Sequence, residues 1–227
     1  MASYLVPARE ARVEMRVVNS RFVATAAPAF TIEAARAFIR RIKDEYPDAS
    51  HNVSAYLIGH GSTVIAHATD DGEPSGTAGR PALAVLRGSG LGDVVVVVTR
   101  YFGGTKLGTG GLVRAYGDAV REVLHALPRA MRVPTVVVRF LVPYGLYERA
   151  CYLIAEHQGE VEEEAFGVEV QVTARFPDAR FAVFADVLRG LSAGTVEPEV
   201  LMRDEDTIVR LDVPRTEDGS RGDATGM

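Results

Sequence analysis

An α+β protein of two domains is what the apolar pattern of this chain predicts. Three observations carry that reading. Strand-like and helix-period runs are interleaved along the chain without a strict β-α alternation. A length of 227 residues suits two domains better than one small one. Charge also divides: residues 1–133 hold 16 Lys/Arg against 12 Asp/Glu, whereas residues 134–213 hold 7 against 15. The expected division is 1–133, 134–213 and an unpatterned tail over 214–227.

In the first domain, residues 12–27 alternate around "NSRF" and read as two strands joined by a tight turn. Thr31 is placed to cap a helix whose apolar face is Ala34, Ala35, Phe38, Ile39 and Ile42. "HNVSAYLIG" and "TVIAHATD" read as a hairpin through "HGS". "DDGEPSG" is turn chemistry, and "TAGRPALAVLRG" a helix capped by Thr77. "DVVVVVTRYF" has the continuous β-branched character of a strand buried on both faces. Leu112, Tyr116, Ala119, Val120, Val123 and Leu127 then mark one face of a helix, and "LPRAMRVP" reads as the boundary.

The second domain runs "TVVVRFLVP" strand, "YGLYERACYLIAEHQG" helix, "EVEEEAF" and "VEVQVTARF" strands about a turn at Gly167. "DARFAVFADVLRGLS" follows as a helix that Asp178 can cap, then "TVEPEVLMR" and "DTIVRLDVP" as strands. The order β-α-β-β-α-β is that of the ferredoxin-like split βαβ.

No run reaches the roughly 18 apolar residues that span a bilayer, so no membrane association is expected. The first residues lack the apolar core of a signal peptide. The single cysteine, Cys151, excludes an internal disulfide and a multi-cysteine metal cluster. A cytoplasmic protein is expected.

The chemistry concentrates in two loops. Residues 103–111, "GGTKLGTGG", hold five glycines between a strand and a helix. Bare N–H groups, the positive helix end and glycine's small size suit such a loop to anions. The candidate anion or nucleic-acid contacts are Arg100, Gly103, Gly104, Thr105, Lys106, Gly108, Thr109, Gly110, Gly111 and Arg114. Close packing of the loop against another backbone explains the glycines equally well. The P-loop and dinucleotide fingerprints both fail here, so no cofactor is expected. The second loop holds Asp70, Asp71 and Glu73. It reads either as an acid–base or divalent-metal site or as a solvated acidic turn. His51 and His67 could join such a site by facing each other across the hairpin.

These segments are similar to a known family. "HNVSAY", "DDGEPSGTAGRP" and "VVVVVTRYFGGTKLGTGGLVRAYGDAV", in this order, resemble the YigZ/IMPACT family over residues 12–125. The resemblance implies an N-terminal domain like the second domain of a small-subunit ribosomal protein. It also implies a C-terminal ferredoxin-like domain like the last domain of elongation factor G. Eukaryotic members restrain a translation-controlling kinase by binding its activator, with the help of an extra N-terminal domain not evident here. Bacterial members are implied to associate with nucleic acid or ribosomes. Val53 stands where members often carry a cysteine, which argues against thiol chemistry.

The function expected is a non-catalytic, translation-linked protein contacting RNA or the ribosome through its glycine-rich loop. The alternatives are a protein-binding regulator of translation or stress response, and an enzyme acting on a small phosphorylated substrate. The last requires the acidic loop and the glycine loop to meet.

Overall fold

A computed structural model describes residues 3–210 of the chain. It contains two five-stranded sheets and five α-helices. The first sheet is formed by β2 (Ala11–Val17), β3 (Ser20–Pro28), β4 (His51–Ile58), β5 (Ile65–Thr69) and β6 (Val94–Tyr101). Their order is β2-β3-β6-β4-β5, with every neighbouring pair antiparallel.

The run of valines puts β6 at the centre of this sheet, covered on both faces. Helix α1 (Ile32–Glu45) packs on one face, where Val95 meets Ala35, Tyr56 and Ala27. Helices α2 (Gly79–Gly88) and α3 (Gly108–Ala126) pack on the other, against Val94, Val96 and Val98. The two-residue period of a strand thus divides one run of valines between two cores. Thr31 caps α1 as expected, its hydroxyl accepting from Ala34 N at 3.1 Å. The expected apolar face of α3 is buried throughout.

The second sheet centres on β7 (Arg129–Val142), a strand of 14 residues. One side of β7 pairs first with β1 (Tyr4–Pro7) and then with β9 (Val170–Pro177). β10 (Glu199–Arg210) runs along the other side, and β8 (Glu160–Phe166) lies beyond β9. Helices α4 (Tyr144–Glu156) and α5 (Asp178–Leu191) cover one face around Phe140, Ile154, Phe184 and Leu188. The order β10-β7-β9-β8 is that of the split βαβ.

Several local expectations are corrected. "LPRAMRVP", where the boundary is expected, is largely the start of β7. Pro134 is tolerated there because it falls between β1 and β9 on one side and opposite a bulge in β10 on the other. That bulge, between Asp204 and Thr207, is also why one strand reads as two in sequence. Asp178 does not cap α5; its carboxylate pairs with Arg203. Thr77 does not cap α2, because its hydroxyl donates to Pro74 O. By sheet membership the second unit also takes Tyr4–Pro7 from the N-terminal end. The tail over 214–227 lies outside the described residues.

A buried aspartate ties the two sheets. Asp93 is fully buried and accepts from Gly59 N at 2.7 Å and Tyr4 Oη at 2.6 Å. Arg132 of β7 completes the set. Burial, then the bond to Asp93, pushes the Tyr4 hydroxyl up to about 12.

Candidate functional site

The acidic loop and the glycine-rich loop approach each other through Arg100. This arginine is the penultimate residue of β6, pairing with Phe22 of β3 and His51 of β4 in register. Its Nη1 donates to Glu73 Oε1 at 2.6 Å and its Nη2 to Ser20 Oγ at 3.2 Å. Ser20 Oγ also accepts from Gly103 N, the first amide of the glycine stretch, at 3.4 Å. Tyr116 of α3 donates to the same Glu73 oxygen at 2.8 Å. Burial, then this bond, raises the pKa of the Tyr116 hydroxyl. Arg100 and Glu73 are both buried, with side chains 5% and 3% exposed. Arg100 is therefore not an outward-facing anion contact, and that expectation is corrected. Its Nε has no partner among the described residues.

The three carboxylates of the acidic loop each turn to a different task. Asp70 accepts from Gly76, Ala78 and Gly79 amides at 2.7, 3.0 and 2.8 Å, and so caps α2. Burial, the largest single influence, acts to raise its pKa. The three amides and nearby Arg80 outweigh it and hold the carboxyl below the usual aspartate range. Asp71 accepts from Lys43 Nζ at 2.6 Å and Asn52 N at 2.6 Å. Its φ of 46° is left-handed, a conformation aspartate tolerates. Glu73 is held by Arg100 and Tyr116, as above.

Each carboxylate is thus taken up by its own partners, and no group of three or more His, Cys, Asp or Glu side chains is arranged to hold a metal among the described residues. His51 and His67 do not face each other. His67 lies opposite Tyr56, whereas His51 extends past the paired end of β5. There His51 Nδ1 donates to Asp71 O at 2.9 Å, and its Nε2 stands 3.8 Å from Glu73 Oε2.

The glycine stretch divides by position. A Cβ on Gly103 would fall inside the Asn19 carbonyl, so this glycine serves close packing. Gly104 and Gly108 adopt φ of 83° and 72°, where glycine is favoured. Gly110 is different: its φ is not positive, and a Cβ there would meet nothing within 4 Å. Among the described residues, no contact from outside its own turn requires glycine at that position. It sits in the first turn of α3, which no side chain caps. Thr105, Lys106, Gly108, Thr109, Gly110 and Arg114 are exposed, and Gly111 is half-buried. The ion pairs of this region use Lys43, Arg100 and Arg121, not Lys106 or Arg114. Phe102 is 47% exposed beside the loop, with the Arg100 guanidinium 5.5 Å from its ring centre. Tyr101 is half-buried and donates to Asp48. The result is an exposed, electropositive helix start with a bare backbone.

The chain matches the Impact N-terminal domain family over residues 18–124, the span that holds both loops. It is 36% identical to IMPACT family member YigZ of Escherichia coli (strain K12), covering 87% of this chain and 97% of that one. An IMPACT family member of Haemophilus influenzae is 35% identical over 88% of this chain and 98% of its own. A crystal structure of a hypothetical protein aligns with a TM-score of 0.58 at 34% identity, covering 89% of this chain and 98% of that one. No helix among the described residues is long and apolar enough to cross a membrane. With both loops inside the matched span and relatives covered almost end to end, the chain belongs to the IMPACT family.

Proposed function

We propose that this protein is a non-catalytic, translation-linked binding protein that contacts RNA or the ribosome through the start of α3. IMPACT family membership supports a translation-linked role in general. The observation that carries the finer reading is the open first turn of α3, with Gly110 required by no contact from outside its own turn among the described residues. A phosphate oxygen can reach such amides only where no side chain intervenes. Lys106 and Arg114 flank the turn as exposed cations, and Phe102 offers an aromatic face on which a base can stack. The enzyme reading asks Asp71 or Glu73 to act on a substrate held by the glycine loop. Both carboxylates are taken up by partners within the chain, Lys43 and Asn52 for Asp71 and Arg100 and Tyr116 for Glu73, so the binding reading is preferred.

The test is sedimentation with ribosomal subunits at low and high salt. The wild-type protein is expected to co-sediment at low salt and to be released by salt. Lys106→Glu with Arg114→Glu removes two phosphate contacts and should lower the salt slope by roughly two. Co-sedimentation of the double variant indistinguishable from wild type would contradict the reading.

A further inference from the structure

Beside the RNA-facing turn lies a second surface that the proposed function does not use. Helices α2 and α3 pack side by side on one face of the first sheet and leave a groove of about 610 Å³ between their outer flanks. Its floor is apolar and includes Pro81, Val85, Val113 and Leu124. Two glycines deepen it, Gly88 on α2 and Gly117 on α3. Neither has positive φ. A Cβ on Gly88 would meet nothing within 4 Å, and the atoms nearest to one on Gly117 belong to the Arg121 guanidinium, the first at 3.6 Å. Gly88 is the last residue of α2 and exposed; Gly117 lies inside α3 and is buried, where glycine costs about 1 kcal/mol relative to alanine.

The charged residues that line the groove are Arg121 and Arg129, with the His125 imidazole as a further polar group, and no aspartate or glutamate lines it. All three are exposed, and Arg121 is already ion-paired with Asp118 on its own helix, which leaves Arg129 as the unshared cation among the lining residues. The ten residues of α2 make the groove about 15 Å long. Those dimensions fit roughly three turns of a helix laid into a groove by its apolar face.

We propose that the α2–α3 groove is a docking site for an acidic amphipathic helix of a protein partner. Leucine-type side chains of the partner fill the space over Gly88 and Gly117, and its carboxylates meet Arg121, His125 and Arg129. The site is separate from Lys106, Gly110 and Arg114, none of which lines it. The inference therefore stands whether or not the chain binds RNA.

The full chain is titrated with a fluorescent peptide of about twelve residues, leucine at i, i+3, i+4 and i+7 and glutamate elsewhere. A second peptide carries lysine in place of glutamate. The acidic peptide is expected to bind at least about tenfold more tightly than the basic one. Gly117→Leu projects a side chain into the groove beside the Arg121 guanidinium and should weaken acidic-peptide binding about tenfold. A thermal melt of this variant confirms that it folds. His125→Glu with Arg129→Glu should reverse the preference. The proposal is overturned by equal binding of the two peptides, by no binding of the acidic one, or by indifference to Gly117→Leu in a folded protein. It is also overturned if Gly117→Leu instead weakens RNA binding, which would assign the groove to nucleic acid.

Discussion

The acidic loop and the glycine-rich loop both converge on Arg100, yet their polar groups have opposite fates. In the acidic loop, each carboxylate finds partners within the chain: amides for Asp70, Lys43 for Asp71, Arg100 and Tyr116 for Glu73. In the glycine-rich loop, Gly103 N reaches Ser20, Thr105 Oγ1 accepts from Asn19 Nδ2 at 3.4 Å and Leu107 packs on the core, but the first turn of α3 is left open. A motif dense in charge can thus be architecture, while a motif dense in glycine can be surface. What separates them is where the donors and acceptors are satisfied.

The largest effect should come from breaking the acidic loop at its buried end. Glu73→Ala leaves the Arg100 guanidinium buried without its carboxylate, a loss of about 3–5 kcal/mol for a broken buried pair. Thermal unfolding should fall by on the order of 10 °C. Replacing all three partners with apolar residues, Glu73→Leu with Arg100→Met and Tyr116→Phe, should recover most of that loss, since no buried polar group of the set is then left without its partner. If Glu73→Ala melts like wild type, the carboxylate is not structural and the comparison fails.

A middling effect is expected from Asp70→Asn, which weakens the cap on α2 by about 1 kcal/mol. The folded-state pKa of Asp70 is depressed, so its contribution is present above its ordinary value of 3.8 and is lost as pH falls through the lower folded value. The stability difference between wild type and Asp70→Asn should therefore shrink on acidification below about pH 4. A gap that stays constant through that range would remove Asp70 as the titrating cap.

Much of this architecture was legible locally. The helical face of α3, the Thr31 cap and the order of the second domain follow from periodicity and capping chemistry that act within a few residues. The errors share one cause. Asp70 caps a helix eight and nine residues downstream in the chain, across a turn, where a local rule selects Thr77. Arg100 follows a run of valines and looks like the exposed end of a strand; its carboxylate lies 27 residues back, on a different element. Tyr4 and Arg132, which join the sheets, are 128 residues apart. Partners fixed by tertiary contact leave no period or spacing to read. The glycine loop was ambiguous for a different reason. Packing, left-handed backbone and an open surface each favour glycine, and all three occur within residues 103–111.

The smallest change gives the most direct test. Gly110→Ala adds one methyl group that meets nothing within 4 Å outside its own turn. In a helix it should stabilise the fold by up to about 1 kcal/mol. Gly145→Ala in α4, equally free of contacts, serves as the control. Thermal unfolding and RNA binding at fixed salt are measured on all three proteins. The account predicts that both variants melt at or above wild type and that only Gly110→Ala loses RNA affinity. If Gly110→Ala gains stability and binds RNA as well as wild type does, the open turn of α3 is not the binding surface.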